Sequence, residues 1–259
     1  MRIALGVEYD GSDFAGWQRQ AHARSVQETV ERALSKVADH DVTVTCAGRT
    51  DAGVHASGQV IHFDTEARRS AFAWVMGANS NMSRDVSIRW AKQVDDGFNA
   101  RFSASARRYR YVILNRPVRP ALNRSRVGWI FKPLDLTPMR AACPYLLGEH
   151  DFSSFRAAGC QARHAIREIQ RLNVAGSGDY FYVDVQANAF LHHMVRNIVG
   201  LLMSIGFGEH PPRWAGEVLA ARDRRAAAAT APAGGLYLVR VVYPDRFGIP
   251  SEIEVPTFA

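Results

Sequence analysis

The fold is first indicated by residues 3–11, which have the sequence IALGVEYDG. Apolar side chains alternate with other residues along positions 3–9, and an Asp-Gly pair follows, which is typical of a β-strand that ends in a tight turn. Farther along, Ser25 and Glu28 have the spacing of a helix capping box, and apolar residues then recur at helical intervals over 26–37. The chain therefore begins with a strand followed by a helix.

The rest of the first half continues this alternation. Two β-rich runs frame a loop over 47–58 that contains three glycines, and a weaker helical pattern and a further strand follow. The predicted elements are strands at Val42–Cys46 and Gln59–Phe63, a helix at Ala67–Met76 and a strand at Val86–Val94. The resulting order is βαββαβ.

The second half repeats that order. Its predicted elements are a strand at Arg107–Leu114, a helix from an N-cap at Thr137 toward Leu147, a hairpin of Ile166–Val174 with Tyr180–Asn188, helices at Phe190–Ile205 and Pro212–Ala221, and a strand at Leu236–Val242. Such a duplication predicts an α+β protein of two ferredoxin-like (RRM-like) halves, residues 1–104 and 105–259, whose sheets meet to form a central cleft. The first half would carry the glycine-containing loop, and the second a basic strand for RNA binding.

Composition restricts the class of protein. The chain has 259 residues and a formal net charge of +7, and only Lys36, Lys92 and Lys132 among its 32 basic residues are lysines. A balance this basic favours a polyanionic partner. Three dispersed cysteines exclude a disulfide framework and a Cys₄ zinc site, and no apolar run has the length of a membrane span. We therefore expect a cytoplasmic protein without a membrane partner.

The positive charge is concentrated in one interval, because no acidic residue occurs between Gly97 and Leu134. Aromatic residues are interleaved with the cations there. Arginine side chains match phosphate geometry and aromatic rings stack on bases, so the interval favours RNA binding. Its cations are Arg101, Arg107, Arg108, Arg110, Arg116, Arg119, Arg124, Arg126 and Lys132.

The glycine-containing loop includes the segment GRTDAGVHA at residues 48–56. Its glycines allow the backbone to turn tightly around one carboxylate, Asp51, and Arg49 lies two residues earlier, close enough to orient that carboxylate and keep it ionised. A lone aspartate in a glycine-rich turn more often bonds its own backbone. Taken alone, the loop does not decide between these interpretations.

The segment resembles the signature of the tRNA pseudouridine synthase A family, and further blocks resemble the same family in the same order along nearly the whole chain. Those blocks are EYDG (8–11) with GWQRQ (16–20), RFSASARRYRY (101–111), NAFLHHMVRN (188–197) and GLYL (235–238). The resemblance implies isomerisation of uridines 38, 39 and 40 in the anticodon stem-loop of tRNA. It also implies a homodimer that needs no cofactor and no metal.

The resemblance makes Asp51 the essential catalytic carboxylate and Arg49 its counter-charge. Attack on the sugar C1′, attack on the base C6 and a glycal route all remain open for Asp51. Tyr109 matches the family's active-site tyrosine, which stacks on the base and is a candidate to remove the C5 proton. Leu236 matches an apolar residue that packs on the flipped base.

Arg196 lies in a helical pattern of core character, where an unpaired charge is costly, and we interpret it as a second partner for the catalytic carboxylate. Arg107, Arg108 and Arg110 are the expected phosphate contacts that offset the cost of flipping the base. His192 and His193 are adjacent, so on a helix they would face about 100° apart, which argues against a shared metal. The roles of His55 and His62 remain open.

Two other functions fit parts of the sequence. A non-catalytic RNA-binding protein could use both sheets as stacking platforms, although the strand at Arg107–Leu114 lacks the Gly/Phe-rich pattern of such modules. A metal-dependent phosphodiesterase could be built on Asp10, Asp13, Asp51 and Asp64, and activity that persists in EDTA would exclude it.

Overall fold

The computed structural model describes residues 1–250 and 255–258. Residues 251–254 and 259, at the end of the predicted second half, lie outside the described residues. Contacts divide the chain into two compact units: Met1–Arg107 with Tyr237–Val255, and Arg108–Leu236 with residues 256–258. Both units combine helices with β-sheet, so the α+β class is confirmed. Among the described residues, no helix has the length and hydropathy that a bilayer-crossing segment requires.

The first unit is a mixed sheet in the order β4-β1-β3-β10, with the short β2 paired to β3. Strand β1 is antiparallel to β3 and β4, whereas β10 runs parallel to β3. Its elements are β1 (Arg2–Tyr9), α1 (Val26–Ala38), β2 (Thr45–Cys46), β3 (His55–Asp64), α2 (Ala71–Ser80), β4 (Val86–Val94) and β10 (Leu236–Val242).

The second unit contains the strand order β5-β9-β8-β7, with β6 paired in parallel to β5. Its most buried element is α4, whose side chains are nearly all removed from solvent. Its elements are β5 (Ala106–Asn115), β6 (Gly128–Ile130), α3 (Leu136–Ala142), β7 (Gly148–Asp151), β8 (Ile166–Ser177), β9 (Tyr180–Ala187), α4 (Met194–Gly206) and α5 (Trp214–Ala221).

Several predicted elements are confirmed. The Ser25 side chain accepts the Glu28 N–H at the start of α1, and β4 has the predicted bounds. The hairpin of β8 and β9 forms, with Ser177 opposite Tyr180 next to the turn. Each of these elements has a strong local signal: a helix cap, an alternation of apolar and polar residues, or a glycine-containing turn. Sequence alone therefore identifies them.

The prediction of a strand over Val42–Cys46 is wrong, because only Thr45 and Cys46 pair with β3. The backbone N–H of Val42 instead donates to the Ser35 hydroxyl at 2.9 Å, and that of Val44 donates to the Glu31 carboxylate at 3.1 Å. Side chains of α1 therefore accept the backbone N–H groups that would otherwise bond to a neighbouring strand. Strand β3 also begins at His55, four residues earlier than predicted.

The starts of four helices differ from the predictions. Ser70 caps α2, so that helix runs later than 67–76. Asp135 rather than Thr137 caps α3, which ends at Ala142 before a 3₁₀ turn that contains Pro144. Helix α4 begins at Met194 and not at Phe190, because the preceding residue is left-handed, and α5 begins at Trp214. Strands β6 and β7 were not predicted, since three or four residues carry no usable periodicity.

Candidate active site

Asp51 lies in a turn between β2 and β3, in the first unit. The N–H of Val54 donates to the carbonyl of Asp51 at 3.1 Å, and Gly53 supplies the positive φ (75°) that closes the turn. Asp51 is half-buried, whereas Arg49 is exposed. We call residues 47–54 the Asp51 loop.

The backbone that follows β1 braces this loop. Trp17 donates its N–H to the Thr50 carbonyl at 3.0 Å, and the N–H of Gly53 donates to the Phe14 carbonyl at 3.3 Å. Between these bonds, Gly16 has φ +101°, and a Cβ there would lie 2.7 Å from the Thr50 oxygen. Only glycine fits such a close approach at such a φ. We call residues 11–17 the bracing segment.

Two side chains fix the Asp51 loop further. The hydroxyls of Tyr9 and Thr50 share a buried hydrogen bond of 2.7 Å, and Thr50 directly precedes Asp51 in the sequence. The amide of Gln59, which is fully buried, donates to the Gly48 carbonyl at 2.6 Å. Both ends of the turn are thus held by groups on neighbouring strands, and the carboxylate is placed on a preorganised backbone.

His55, left without a role by the sequence, lies under the bracing segment. Its Nδ1 accepts the N–H of Gly11 at 3.0 Å and is 3.2 Å from a carboxylate oxygen of Asp10. The ring stacks on Tyr237 of β10, with centroids 4.7 Å apart. His55 therefore connects β3, β10 and the segment that braces Asp51.

Arg107 holds the start of the Asp51 loop through main-chain contacts. Its Nη2 donates to the Ala47 carbonyl at 3.0 Å and to the Arg101 carbonyl at 2.6 Å, and its Nη1 donates to the Ala104 carbonyl at 3.2 Å. The side chain that the sequence assigns to phosphate binding thus also shapes the loop that carries the candidate nucleophile.

In the second unit, Arg108 and Arg110 converge on one carboxylate, Asp184 of β9. Arg110 binds it through two nitrogens, at 3.0 and 2.7 Å, and Nη2 of Arg108 lies 3.5 Å from it. The Arg110 guanidinium also lies over the Tyr182 ring, 4.8 Å from its centroid. Asp184 is only 3% exposed, so these arginines form an ion cluster around a buried carboxylate.

Tyr109, the predicted tyrosine of the active site, is buried on the opposite face of β5. Its ring packs edge-on against Phe190, with centroids 5.1 Å apart. Aromatic pairs of this geometry contribute about 0.5–1.5 kcal/mol beyond the area they bury. Phe190 therefore fixes the orientation of the Tyr109 ring.

Arg196 and Tyr111 bind neighbouring carbonyls of the segment that precedes β10. Nε of Arg196 donates to the Ala231 carbonyl at 2.8 Å, and the Tyr111 hydroxyl donates to the next carbonyl, of Pro232, at 2.9 Å. Burial raises the pKa of Tyr111, and the Arg196 charge opposes that rise. Leu236 is buried and begins β10 directly after a glycine that leaves no room for a side chain beside the Tyr111 ring.

The expectation that His192 and His193 face apart on a helix is wrong. Both precede α4, and their ring centroids are 4.0 Å apart. His193 has φ +61°, an uncommon value for a residue other than glycine that directs the chain into the helix. No local sequence signal predicts this conformation.

Sequence reasoning missed three residues that shape the candidate site. Gly11 and Gly16 fall inside quoted blocks, yet only the packing shows that the Asp51 loop occupies the space of their missing side chains. Asp184 is one acidic residue within an alternating strand, and nothing in its neighbourhood indicates two arginine partners. Roles such as these depend on contacts between residues distant in sequence.

Comparison with known proteins identifies the family. The family model described as tRNA pseudouridine synthase matches residues 6–103 and 142–244. Proteins named tRNA pseudouridine synthase A are 58% identical in Nitrosococcus oceani (96% of each chain) and 58% identical in Aeromonas hydrophila (96% of this chain, 93% of the relative). One from Vibrio campbellii is 57% identical (100% of this chain, 98% of the relative). The chain, matched over nearly its full length, belongs to the tRNA pseudouridine synthase family.

Proposed function

We propose that this chain converts uridines 38, 39 and 40 of the tRNA anticodon stem-loop to pseudouridine, with Asp51 as the catalytic carboxylate. The family assignment makes the enzyme an isomerase that acts on uridines of tRNA. The structural observation that carries the role of Asp51 is the bracing of its loop, since two backbone bonds and a glycine contact hold the turn that presents it.

The reaction breaks the C1′–N1 glycosidic bond, turns the uracil and forms a C1′–C5 bond. C5 then loses a proton and N1 gains one, so that substrate and product have the same composition. No oxidant, reductant or water is consumed. An ionised carboxylate serves each route, as a nucleophile at C1′ or C6 or as the base that starts a glycal route. Because a fixed carboxylate needs no reorganisation when charge develops, the braced loop favours all three.

The neighbouring roles follow the family match. We assign Arg49 and Arg196 as charge partners of Asp51, Tyr109 as the ring that stacks on the base and accepts the C5 proton, and Leu236 as its apolar contact. The edge-on packing of Tyr109 against Phe190 supports a fixed ring. We also assign Arg107, Arg108 and Arg110 as phosphate contacts. Their bonds within the protein support a second role, in which they fix the Asp51 loop and β5.

We further propose two ferredoxin-like halves, residues 1–104 and 105–259. In this arrangement the third strand lies between the first and the second, and the orders β4-β1-β3 with β2 on β3, and β5-β9-β8, have that form. On the family resemblance, we propose that the enzyme acts in the cytoplasm and forms a homodimer. Sedimentation of the purified chain tests the dimer.

The deciding experiment maps pseudouridine on tRNA transcripts that keep a uridine at only one of positions 38, 39 and 40. Wild type should modify each transcript, and Asp51→Asn should bind tRNA without modifying it. The matched control is Asp41→Asn, since Asp41 is exposed and lies outside both the bracing segment and the Asp51 loop. Near wild-type modification by Asp51→Asn would refute the catalytic role.

The same assay in EDTA tests the phosphodiesterase alternative. Strand β3 extends for ten residues, about 30 Å at the usual rise per residue. Asp51 bonds Val54 directly before the start of this strand, whereas Asp64 is its last residue and pairs with Arg2 at 2.8 Å. One metal cannot bind both carboxylates at that distance. We expect full activity in EDTA, and cleavage of the transcript that EDTA abolishes would support the alternative.

A further inference from the structure

A second basic region comprises the loop that leads into β8 and the first two residues of that strand. From Phe152 to Arg167 the sequence contains no acidic residue. We call residues 156–167 the basic loop; its basic members are Arg156, Arg163, His164 and Arg167. Arg163 and His164 are exposed, and no hydrogen bond or ion pair involves Arg163 within the described part of the chain.

The two arginines at the ends of the basic loop determine its shape. Nη2 of Arg156 donates to the carbonyls of Cys160 and Ala162, at 2.5 and 2.9 Å. Nη1 of Arg167 donates to the carbonyl of His164 at 3.2 Å and contacts Nδ1 of its ring at 3.3 Å. Each guanidinium thus cross-links the loop backbone, and the exposed residues between them are held on a preformed surface.

The basic loop carries more positive charge than its surroundings compensate. Arg167 is 9% exposed, and its buried Nε has no hydrogen-bond partner among the described residues. Burial lowers the pKa of this guanidinium and the neighbouring Arg156 lowers it further, while Cys160 opposes the shift. Buried charges are normally paired with an opposite charge. The uncompensated positive charge of Arg167 therefore points to an anion from outside the chain that binds here.

The basic loop is attached to the turn that precedes α4. Ala157 donates its N–H to the His192 carbonyl at 3.0 Å, and the His192 N–H donates to Sγ of Cys160 at 3.5 Å. His192 is exposed and lies four residues before Arg196, a proposed partner of the catalytic carboxylate. The backbone of the basic loop is therefore fixed relative to the turn that leads into α4 and Arg196.

We propose that the basic loop is a binding surface for the phosphodiester backbone of the RNA substrate, with Arg163 as its exposed phosphate contact. The inference rests on the proposed function and extends it to a contact outside the acid-free interval at 97–134. Arg156 and Arg167 fix the shape of the loop, and the exposed side chains of Arg163 and His164 face the phosphate. A phosphate here supplies the negative charge that the loop lacks.

The test measures binding of a tRNA transcript by Arg163→Ala over a series of salt concentrations, with modification by wild type followed in parallel. We expect affinity at low salt to fall about two- to fivefold, as for one exposed ion pair. The slope of log affinity against log salt should become shallower by about one unit. The matched control is Arg32→Ala on the exposed face of α1, which should bind as wild type does.

A second variant separates shape from charge. Arg156→Lys keeps the charge, but its shorter side chain moves the donor away from the position of Nη2, which binds both carbonyls. Trypsin should therefore cut faster at Arg163, and affinity should fall with a salt slope near that of wild type. Two results would overturn the inference. One is faster cleavage of Arg156→Lys with unchanged affinity for tRNA, and the other is wild-type affinity and salt dependence for Arg163→Ala. If wild type binds tRNA but modifies no uridine, the proposed function fails instead, which keeps the two failures distinct.

Discussion

Trp17 donates its backbone N–H to the carbonyl of Thr50 at 3.0 Å, across 33 residues of sequence. This bond joins the segment after β1 to the residue directly before Asp51. The position of the candidate carboxylate therefore depends on backbone packing as well as on its own loop. Four predictions follow from this and other contacts.

Replacing Gly16 with alanine should misplace Asp51. The new Cβ would lie 2.7 Å from the Thr50 oxygen, at a φ of +101° that alanine disfavours. We expect kcat/KM for tRNA modification to fall roughly 10- to 100-fold, because small displacements of a catalytic group have effects of that size. Gly178→Ala is the control for backbone strain alone, because Gly178 has φ +55° and an added Cβ there would meet no atom within 4 Å beyond its chain neighbours. Equal loss in both variants would contradict the prediction.

Replacing Asp184 with asparagine should destabilise the protein. The change leaves the Arg108 and Arg110 guanidiniums buried without their carboxylate. We expect the free energy of unfolding, measured in urea, to fall by about 3–5 kcal/mol, as when one partner of a buried ion pair is removed. Asp223→Asn breaks an exposed pair with Arg225 and should change stability little. A similarly small effect at Asp184 would show that the buried cluster does not stabilise the fold.

Cys160 should be the reactive thiol of the native protein. Partial burial acts to raise its pKa, but hydrogen bonds from the His192 and Ala162 backbone and the Arg156 charge give a net lowering. Burial raises the pKa of Cys46 to about 12 and that of Cys143 to about 11. Mass spectrometry after brief alkylation at neutral pH should find the label on Cys160. Preferential labelling of another cysteine would be inconsistent with this environment.

His62 should make stability depend on pH. Burial and the Arg2 charge lower its pKa, and its Nδ1 accepts the Ala100 N–H at 3.1 Å. Since the folded state favours the neutral ring, this contribution is complete above the unfolded pKa of about 6.5 and is lost as pH falls below it. His62→Gln should therefore reduce the loss of unfolding free energy between pH 7 and pH 5. An unchanged pH dependence would rule out His62 as its source.

The sequence by itself determined the α+β class, the bounds of strongly patterned elements such as β4 and the family. The signals behind these results are local, because strand alternation, helix capping and the GRTDAGVHA segment are each complete within a few residues. Asp51 could be proposed for the same reason, since it stands inside that segment.

Only the tertiary structure decided which groups surround those residues. Val42 and Val44 do not extend β2, because side chains of α1 bind their N–H groups. Arg110 binds Asp184, which is 74 residues away, and no local signal indicates this partner. Each outcome is a competition among hydrogen-bonding partners distant in sequence, and only the folded chain brings those partners within reach.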